Sequence, residues 1–401
     1  MNLPQREILV QPWQPEALDA AQSAPYAPGE AQRVLRFHRS MPGYAPTPLH
    51  SLPALAALLG VRAIYVKDES PRFGLNAFKA LGGSWAAARW VAERVGLDDE
   101  HLNFAALTSP NVRERLQGLT LVTTTDGNHG RGIAWVARQL GLPAIVYMPK
   151  GTAQERVDNI RALGATVEVS DLNYDDTVRL AARTAREVGG ALMQDTAWPG
   201  YEQVPRWIMQ GYTTIASEAR EQVTALGDAA PTHLFLQAGA GSFAGALAAC
   251  WTTWPGQPVP RIAVLEPHAA NCFYATARAA DGQLHAVGGD LRTIMAGLSV
   301  GEPSTLAWPL LAGTASWFLS CADEVAALGM RVLASPLGQD PRIIAGESGA
   351  VGAGVLAAAC LCGQGNALRE ILGLDEHASV LLINTEGDTD RENWRKVVWG
   401  C

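Results

Sequence analysis

Short apolar runs alternate with amphipathic stretches along most of the chain. Strand-like runs fall at Ala63–Lys67, Leu119–Thr123, Ala144–Met148, Thr166–Val169, His233–Gln237, Ile262–Glu266 and Val380–Asn384. Between them lie helix-like stretches at Lys79–Val95, Gly130–Gln139, Ala153–Leu163, Tyr174–Val188, Tyr212–Thr224, Phe243–Trp251, Ala322–Ala334 and Gly349–Leu361. This spacing implies βαβ units and parallel sheets with helices on both faces. Sites in such folds belong at the carboxyl ends of strands, in the loops that enter helices. So many strands suggest two sheets, with the chain changing lobe near Gly200. Leu107–Gln117, which contains Ser109-Pro110-Asn111, reads as a surface excursion. Asp281–Ser304 is Gly-rich with weak periodicity and reads as a long functional loop.

Composition narrows the class. A chain of 401 residues with 48% hydrophobic and 17% charged positions is long enough for two or three lobes and has an ordinary globular balance. A net charge of −8 gives no broad electrostatic footprint for nucleic acid. The stretch Met1–Pro15 carries Arg6 and Glu7 and lacks the apolar core of a signal peptide. The longest apolar run, Gly349–Gly363, is shorter than the ~20 residues of a membrane span and reads as a buried helix. Neither a nucleic-acid nor a membrane partner is therefore expected. The cysteines (Cys250, Cys272, Cys321, Cys360, Cys362 and Cys401) are scattered without a CxxC pair, which suits free thiols in a reducing cytoplasm.

The sharpest local motif is HLFLQAGAGSFAG at 233–245, a strand running through a glycine loop into a helix. Such a loop converges backbone N–H groups at a helix N-terminus and suits a phosphate. Two cofactors fit. A dinucleotide would use the loop together with an acid after the next strand, Glu266, although the spacing is GxGxxxG rather than GxGxxG. Pyridoxal 5′-phosphate (PLP) would use it for its single phosphate. A plain strand-to-helix turn that needs small residues for packing would look the same.

PLP requires a lysine for its Schiff base, and hydride transfer does not. The chain has only four lysines beside 27 arginines, and guanidinium does not deprotonate at working pH. Lys396 reads as a surface-helix residue and Lys150 as a strand-end residue. Lys67 is followed by Asp68 and Glu69, which suggests a charged structural lysine. Lys79, in RFGLNAFKALGG (72–83), has no acid among its close neighbours and stands where a loop becomes a helix. Desolvation and the positive helix end would lower the pKa of such an amine. An ordinary helix-surface lysine is the plainer alternative.

At this point the residues resemble a family. VKDESPRFGLNAFKALGG (66–83) is similar to the Schiff-base lysine segment of fold-type II PLP-dependent enzymes, the tryptophan synthase β-like group. Its longer form resembles the diaminopropionate ammonia-lyase family. TTTDGNHGRG (123–132), QDTAW (194–198), MAGLSVGEP (295–303) and NTEGDTD (384–390) match that family in order. Ser299-Val300 departs from the family's Ala-Cys.

The resemblance implies two parallel-sheet α/β domains with PLP in the cleft between them. The large domain is expected at 1–80 and 200–401 and the small one at 81–199. It also implies a cytoplasmic homodimer acting on a small amino acid, by β-elimination of D- and L-2,3-diaminopropionate to pyruvate and ammonia. On this reading Lys79 carries PLP, Asp126 serves as base for the D-isomer and Asp195 for the L-isomer. Asn128 meets the ring hydroxyl and Thr385 the pyridine nitrogen. Gly239, Ala240, Gly241, Ser242 and Phe243 hold the phosphate. No metal is assigned; Asp388 and Asp390 read equally as metal ligands or loop acids. His129 reads as a turn residue rather than a base, and Glu347 and Ser348 as weaker candidates for lining the ring. Without the family, Asp126 reads as an Asx-turn residue and Asp195 as an N-cap. A serine or threonine dehydratase of the same fold and an NAD-dependent dehydrogenase are the alternatives.

Overall fold

A computed structural model describes residues 7–125, 127–256, 258–361 and 365–400. Among them are eleven strands: β1 (Ile8–Pro12), β2 (Leu49–Ser51), β3 (Ala63–Asp68), β4 (Leu121–Thr124), β5 (Ala144–Met148), β6 (Thr166–Val169), β7 (Ala191–Leu192), β8 (His233–Gln237), β9 (Arg261–Pro267), β10 (Trp317–Cys321) and β11 (Ser379–Asn384). The chain divides into two compact units. One comprises Met1–Ala27, Pro46–Pro71 and Ile215–Cys401, and the other Pro28–Ala45 and Arg72–Thr214.

The first unit holds a seven-stranded sheet of order β1-β10-β9-β8-β11-β3-β2. Its five inner strands are parallel. β8, β10 and β11 are buried at every position, as expected of strands covered on both faces. The outer two strands correct the expectation of parallel sheets throughout, because β1 runs antiparallel to β10 and β2 antiparallel to β3. Antiparallel edges need no crossover helix, and these short strands leave little hydrophobic period to read. β10 is a missed inner strand, and the sequence contains its apolar run Trp317–Cys321.

Helices Asp323–Ala334 and Glu347–Leu361 cross backbone to backbone in the same unit. A Cβ on Gly354 would stand 1.8 Å from the Val325 carbonyl, and one on Gly329 would stand 2.0 Å from that of Ala350. The long apolar run is indeed a helix, buried from Glu347 to Ala359. Within Asp281–Ser304 the one regular element described is a 3-10 turn at Ala296–Leu298.

The second unit holds a four-stranded parallel sheet of order β6-β5-β4-β7. Leu107–Gln117 belongs to it and lies largely at the surface, as expected, but is helical and anchored. Helices Phe104–Leu107 and Pro110–Arg115 form there, and Leu107, Val112 and Leu116 are buried. Pro110, which reads as a loop signal, instead starts the helix, where its missing N–H does no harm.

The division also departs from the boundaries expected from sequence, since Pro28–Ala45, 72–80 and 200–214 lie with the second unit. Packing explains this. Helix Gln203–Ala225 brings Gly211 so close to helix Ala80–Val95 that a Cβ would meet the Leu81 carbonyl at 2.5 Å. His38 of helix Pro28–Arg39 sits 2.6 Å from the Thr214 hydroxyl and 3.0 Å from that of Ser84.

Candidate active site

In the second unit, Lys79 is the N-cap residue of helix Ala80–Val95. Three close approaches hold its turn in place. A Cβ on Gly132 would stand 2.9 Å from the Ala80 nitrogen and 3.0 Å from the Lys79 carbonyl carbon. One on Gly82 would stand 2.6 Å from the Tyr212 ring, and one on Gly83 would stand 2.8 Å from Ile133. The glycines after Lys79, and Gly132 in helix Asn128–Leu140, thus let two helices press on the turn that presents the amine.

The amine is not in an acid-free environment. Lys79 Nζ donates to Asp195 Oδ2 at 2.6 Å, an acid 116 residues away in sequence. It also lies 5.4 Å from the centre of the Phe78 ring and 5.9 Å from that of Tyr212. This corrects the sequence expectation, which considered only chain neighbours. Burial alone would raise the Asp195 carboxyl, but the charges of His129 and Lys79 and the lysine hydrogen bond outweigh it and hold the group well below its ordinary value. Asp195 is therefore a carboxylate at neutral pH. It is not an N-cap, since the next helix begins only at Gln203.

The residues around Asp195 come from β4, β7 and the helix Asn128–Leu140. Asn128 opens that helix and is half-buried. His129 is its second residue and buried, so it is helical and not a turn residue. Its Nε2 donates to the Met193 carbonyl at 2.6 Å, and its Nδ1 faces Asp195 Oδ2 at 3.6 Å. Asp126 lies outside the described residues. Sequence reasoning missed Gln194 and Tyr201. Gln194 Oε1 accepts from the Thr124 N–H at 3.2 Å, and the Tyr201 hydroxyl accepts from the Gln194 N–H at 2.9 Å. The available signal was an aromatic pair, Trp198 and Tyr201, one turn after the acid.

In the first unit, the glycine loop leaves the carboxyl end of β8 and enters helix Ser242–Thr252. The cap is Gly241 at φ +90°, with no side-chain cap hydrogen bond. A Cβ at Gly241 would fall 2.3 Å from the Phe273 ring, and one at Gly239 would fall 3.2 Å from the Gly297 carbonyl oxygen. Phe273 is held in turn by Glu266, whose oxygens accept the N–H groups of Phe273 (2.9 Å) and Tyr274 (2.7 Å). Burial pushes the Glu266 carboxyl up to about 8.

Thr385 follows β11, the strand beside β8, and its hydroxyl accepts from Gln237 Nε2 at 2.9 Å. Its own proton is left to donate elsewhere. Glu347 is buried, and its Oε1 accepts from Asn393 Nδ2 at 2.5 Å. Burial, with Glu386 nearby, pushes its carboxyl up to about 7. Asp390 caps helix Arg391–Trp399 through the Asn393 N–H, and Asp388 lies 3.9 Å from Arg391. Ser299, at the departure from the family pattern, donates to the Leu291 carbonyl at 2.6 Å and so braces its own loop.

The remaining lysines have other tasks. Lys67 is fully buried and donates to Glu218 at 2.7 Å and to the Thr47 carbonyl at 2.6 Å. It is structural, as expected, but this carboxylate comes from 151 residues away. The adjacent Asp68 accepts from Ser70 and Asn384. Lys396 pairs with Glu392 on the last helix, and Lys150 is exposed.

Residues 41–384 match the family model described as pyridoxal-phosphate dependent enzyme. The diaminopropionate ammonia-lyase of Escherichia coli strain K12 is 52% identical over 375 residues, 93% of this chain and 92% of that protein. The Salmonella typhimurium protein of the same name is 51% identical over 367 residues, 91% of each. The chain belongs to the diaminopropionate ammonia-lyase family of PLP-dependent enzymes. A crystal structure of the E. coli ammonia-lyase in complex with an aminoacrylate-PLP azomethine reaction intermediate superposes with a TM-score of 0.89 at 48% identity, covering 98% of this chain and 97% of that one.

The first unit of this family member fits PLP. The helix start at Gly241 carries no side-chain cap hydrogen bond, an arrangement that suits a phosphate. The Ser348 and Asn384 side-chain oxygens are buried with no hydrogen-bond partner among the described residues, near the Thr385 end of β11. Buried groups of that kind are normally satisfied by something. The dinucleotide reading loses its ribose acid, because both Glu266 oxygens are committed to the helix behind the loop.

Proposed function

We propose that this chain catalyses the PLP-dependent α,β-elimination of D- and L-2,3-diaminopropionate. One water is consumed, and one pyruvate and two ammonia are released. The observation that carries this reading is the Lys79–Asp195 contact of 2.6 Å, an amine and a carboxylate held together at a rigid helix start. When bound, PLP supplies an electron sink for the charge left at the substrate α-carbon after proton loss.

The residues of the chain then divide the work. Lys79 is the amine that holds the cofactor. The N–H groups of 239–243 meet its phosphate. The Thr385 hydroxyl meets the ring nitrogen and, being no carboxylate, does not hold that nitrogen protonated. Asn128 meets the ring hydroxyl.

Asp195, ionised and next to Lys79, takes the α-proton of the L-isomer. The α-hydrogens of the two isomers point to opposite sides, so the D-isomer needs a second base, and the family pattern places Asp126 in that role. A carboxylate also suits a substrate whose β-nitrogen is cationic. We read the protein as a cytoplasmic homodimer. The free thiols of Cys250, Cys272, Cys321 and Cys360 support the compartment, and the family resemblance supports the dimer.

The test is spectroscopic and kinetic. The protein mixed with PLP should show a visible absorption band that Lys79→Ala lacks. The holoenzyme should turn over diaminopropionate faster than serine. No band in the wild type, or serine winning by a wide margin, overturns the reading, and the second result would reinstate the dehydratase.

A further inference from the structure

The backbone that delivers Asp195 is the buried continuation of an edge strand. β7 pairs with β4 on one side only. Beyond Leu192 the extended chain continues along β4, with the Met193 N–H donating to the Val122 carbonyl at 2.8 Å. On the β4 side, the Thr123 hydroxyl donates to the Met193 carbonyl at 2.7 Å. On the other side no strand pairs with it among the described residues, and one hydroxyl takes that place. Tyr201 Oη accepts the Gln194 N–H at 2.9 Å and donates to the Leu192 carbonyl at 2.8 Å. It thus closes the two backbone groups that a further strand would have paired.

Tyr201 is itself fixed. Its ring stacks on Trp198 at 4.4 Å and 24°. Its backbone N–H donates to the Trp198 carbonyl at 2.8 Å, closing the turn 198–201 that follows Asp195. Burial, and beyond it the charge of nearby Asp195, raises the phenol well above its ordinary value, so the hydroxyl keeps the proton it donates.

We infer that Tyr201 is a positioning residue for Asp195, and that through it the chain sets the rate on the L-isomer separately from the D-isomer. This rests on the reading of Asp195 as the L-face base. Asp195 follows Gln194 directly, so a peptide released at Gln194 lets the carboxylate swing, while the Tyr201 hydroxyl bonds Gln194 and Leu192 and so acts on that peptide rather than on the segment 123–132. Displacing a reacting group by about an ångström is sufficient for ~10²-fold in rate; losing one of the two sides of the clamp should lie below that limit.

The experiment uses the holoenzyme with each diaminopropionate isomer separately. Tyr201→Phe keeps the ring stacked on Trp198 and removes only the hydroxyl. Its kcat on the L-isomer should fall ~10-fold with KM nearly unchanged, while the D-isomer changes less than ~2-fold. Trp198→Leu removes the ring on which Tyr201 stacks and should show the same selectivity, which keeps the test open if Tyr201→Phe folds poorly. Asp195→Asn is the reference. If Asp195→Asn is L-selective and neither other variant is, the positioning role is overturned and the base survives. If Asp195→Asn affects both isomers equally, the base assignment fails and the positioning role falls with it. Equal losses on both isomers in Tyr201→Phe, with an L-selective Asp195→Asn, assign the hydroxyl to general stability and also overturn the inference.

Discussion

Replacing Gly132 with alanine tests whether the fit of two helices sets the position of the reactive amine. The added Cβ would stand 2.9 Å from the Ala80 nitrogen, 3.0 Å from the Lys79 carbonyl carbon and 3.2 Å from the Ala80 Cα. Ordinary carbon contacts lie near ~3.5–4.0 Å. The atoms in the way are backbone, so no rotamer change relieves them. Either helix Asn128–Leu140 or the first turn of helix Ala80–Val95 must move by about half an ångström or more. Overpacking of this kind costs about 1–3 kcal/mol, a few degrees of melting temperature for a chain of this size. The rate should suffer more than the stability, because half an ångström at the amine is a sizeable part of the ~1 Å displacement that costs ~10²-fold. We expect kcat on diaminopropionate to fall ~10-fold or more. Thermal denaturation and steady-state kinetics on the same preparations check this. Gly29→Ala is the control, since a Cβ there meets nothing within 4 Å. Wild-type stability and wild-type kcat in Gly132→Ala would refute the argument.

Glu347 links stability to pH. Its folded carboxyl is pushed up to about 7 from 4.5, so its contribution is fully present below pH ~4.5 and is lost as pH rises through ~7, a change of about 3 kcal/mol at 1.36 kcal/mol per unit. Urea unfolding between pH 5 and 8 should show this decline in the wild type and a flatter profile in Glu347→Gln; parallel profiles would exclude Glu347 as its source. For the two-base assignment, Asp195→Asn should mainly reduce turnover of the L-isomer and Asp126→Asn that of the D-isomer. Coupled pyruvate assays on each isomer check this, and equal losses on both would reject it.

Much of the fold was legible because buried parallel strands are continuous apolar runs. β5 and β8 lie where the hydrophobic pattern puts them, and so does the edge strand β6, although three of its four positions are exposed. The edges were less legible. β1 and β2 are short and partly exposed, and little hydrophobic period survives in them. Pro110 was misread because proline breaks a helix interior yet suits a first turn.

The chemistry of the site divides in the same way. Local sequence determined that Lys79 stands at a loop-to-helix junction, that a glycine loop follows β8, and that Thr385 follows β11. Each is a property of one short segment, and the family motifs lie in those segments. Tertiary structure alone decided that the acid beside Lys79 is Asp195, that Lys67 is neutralised by Glu218, and that Glu266 is committed to the helix behind the phosphate loop. Side-chain electrostatics depend on distance through space, and folding brings within 3 Å groups that the chain separates by more than a hundred residues. The clamp of Tyr201 on the backbone before Asp195 has the same origin: an edge strand leaves N–H and C=O groups unpaired, and only the folded turn shows which side chain returns to meet them.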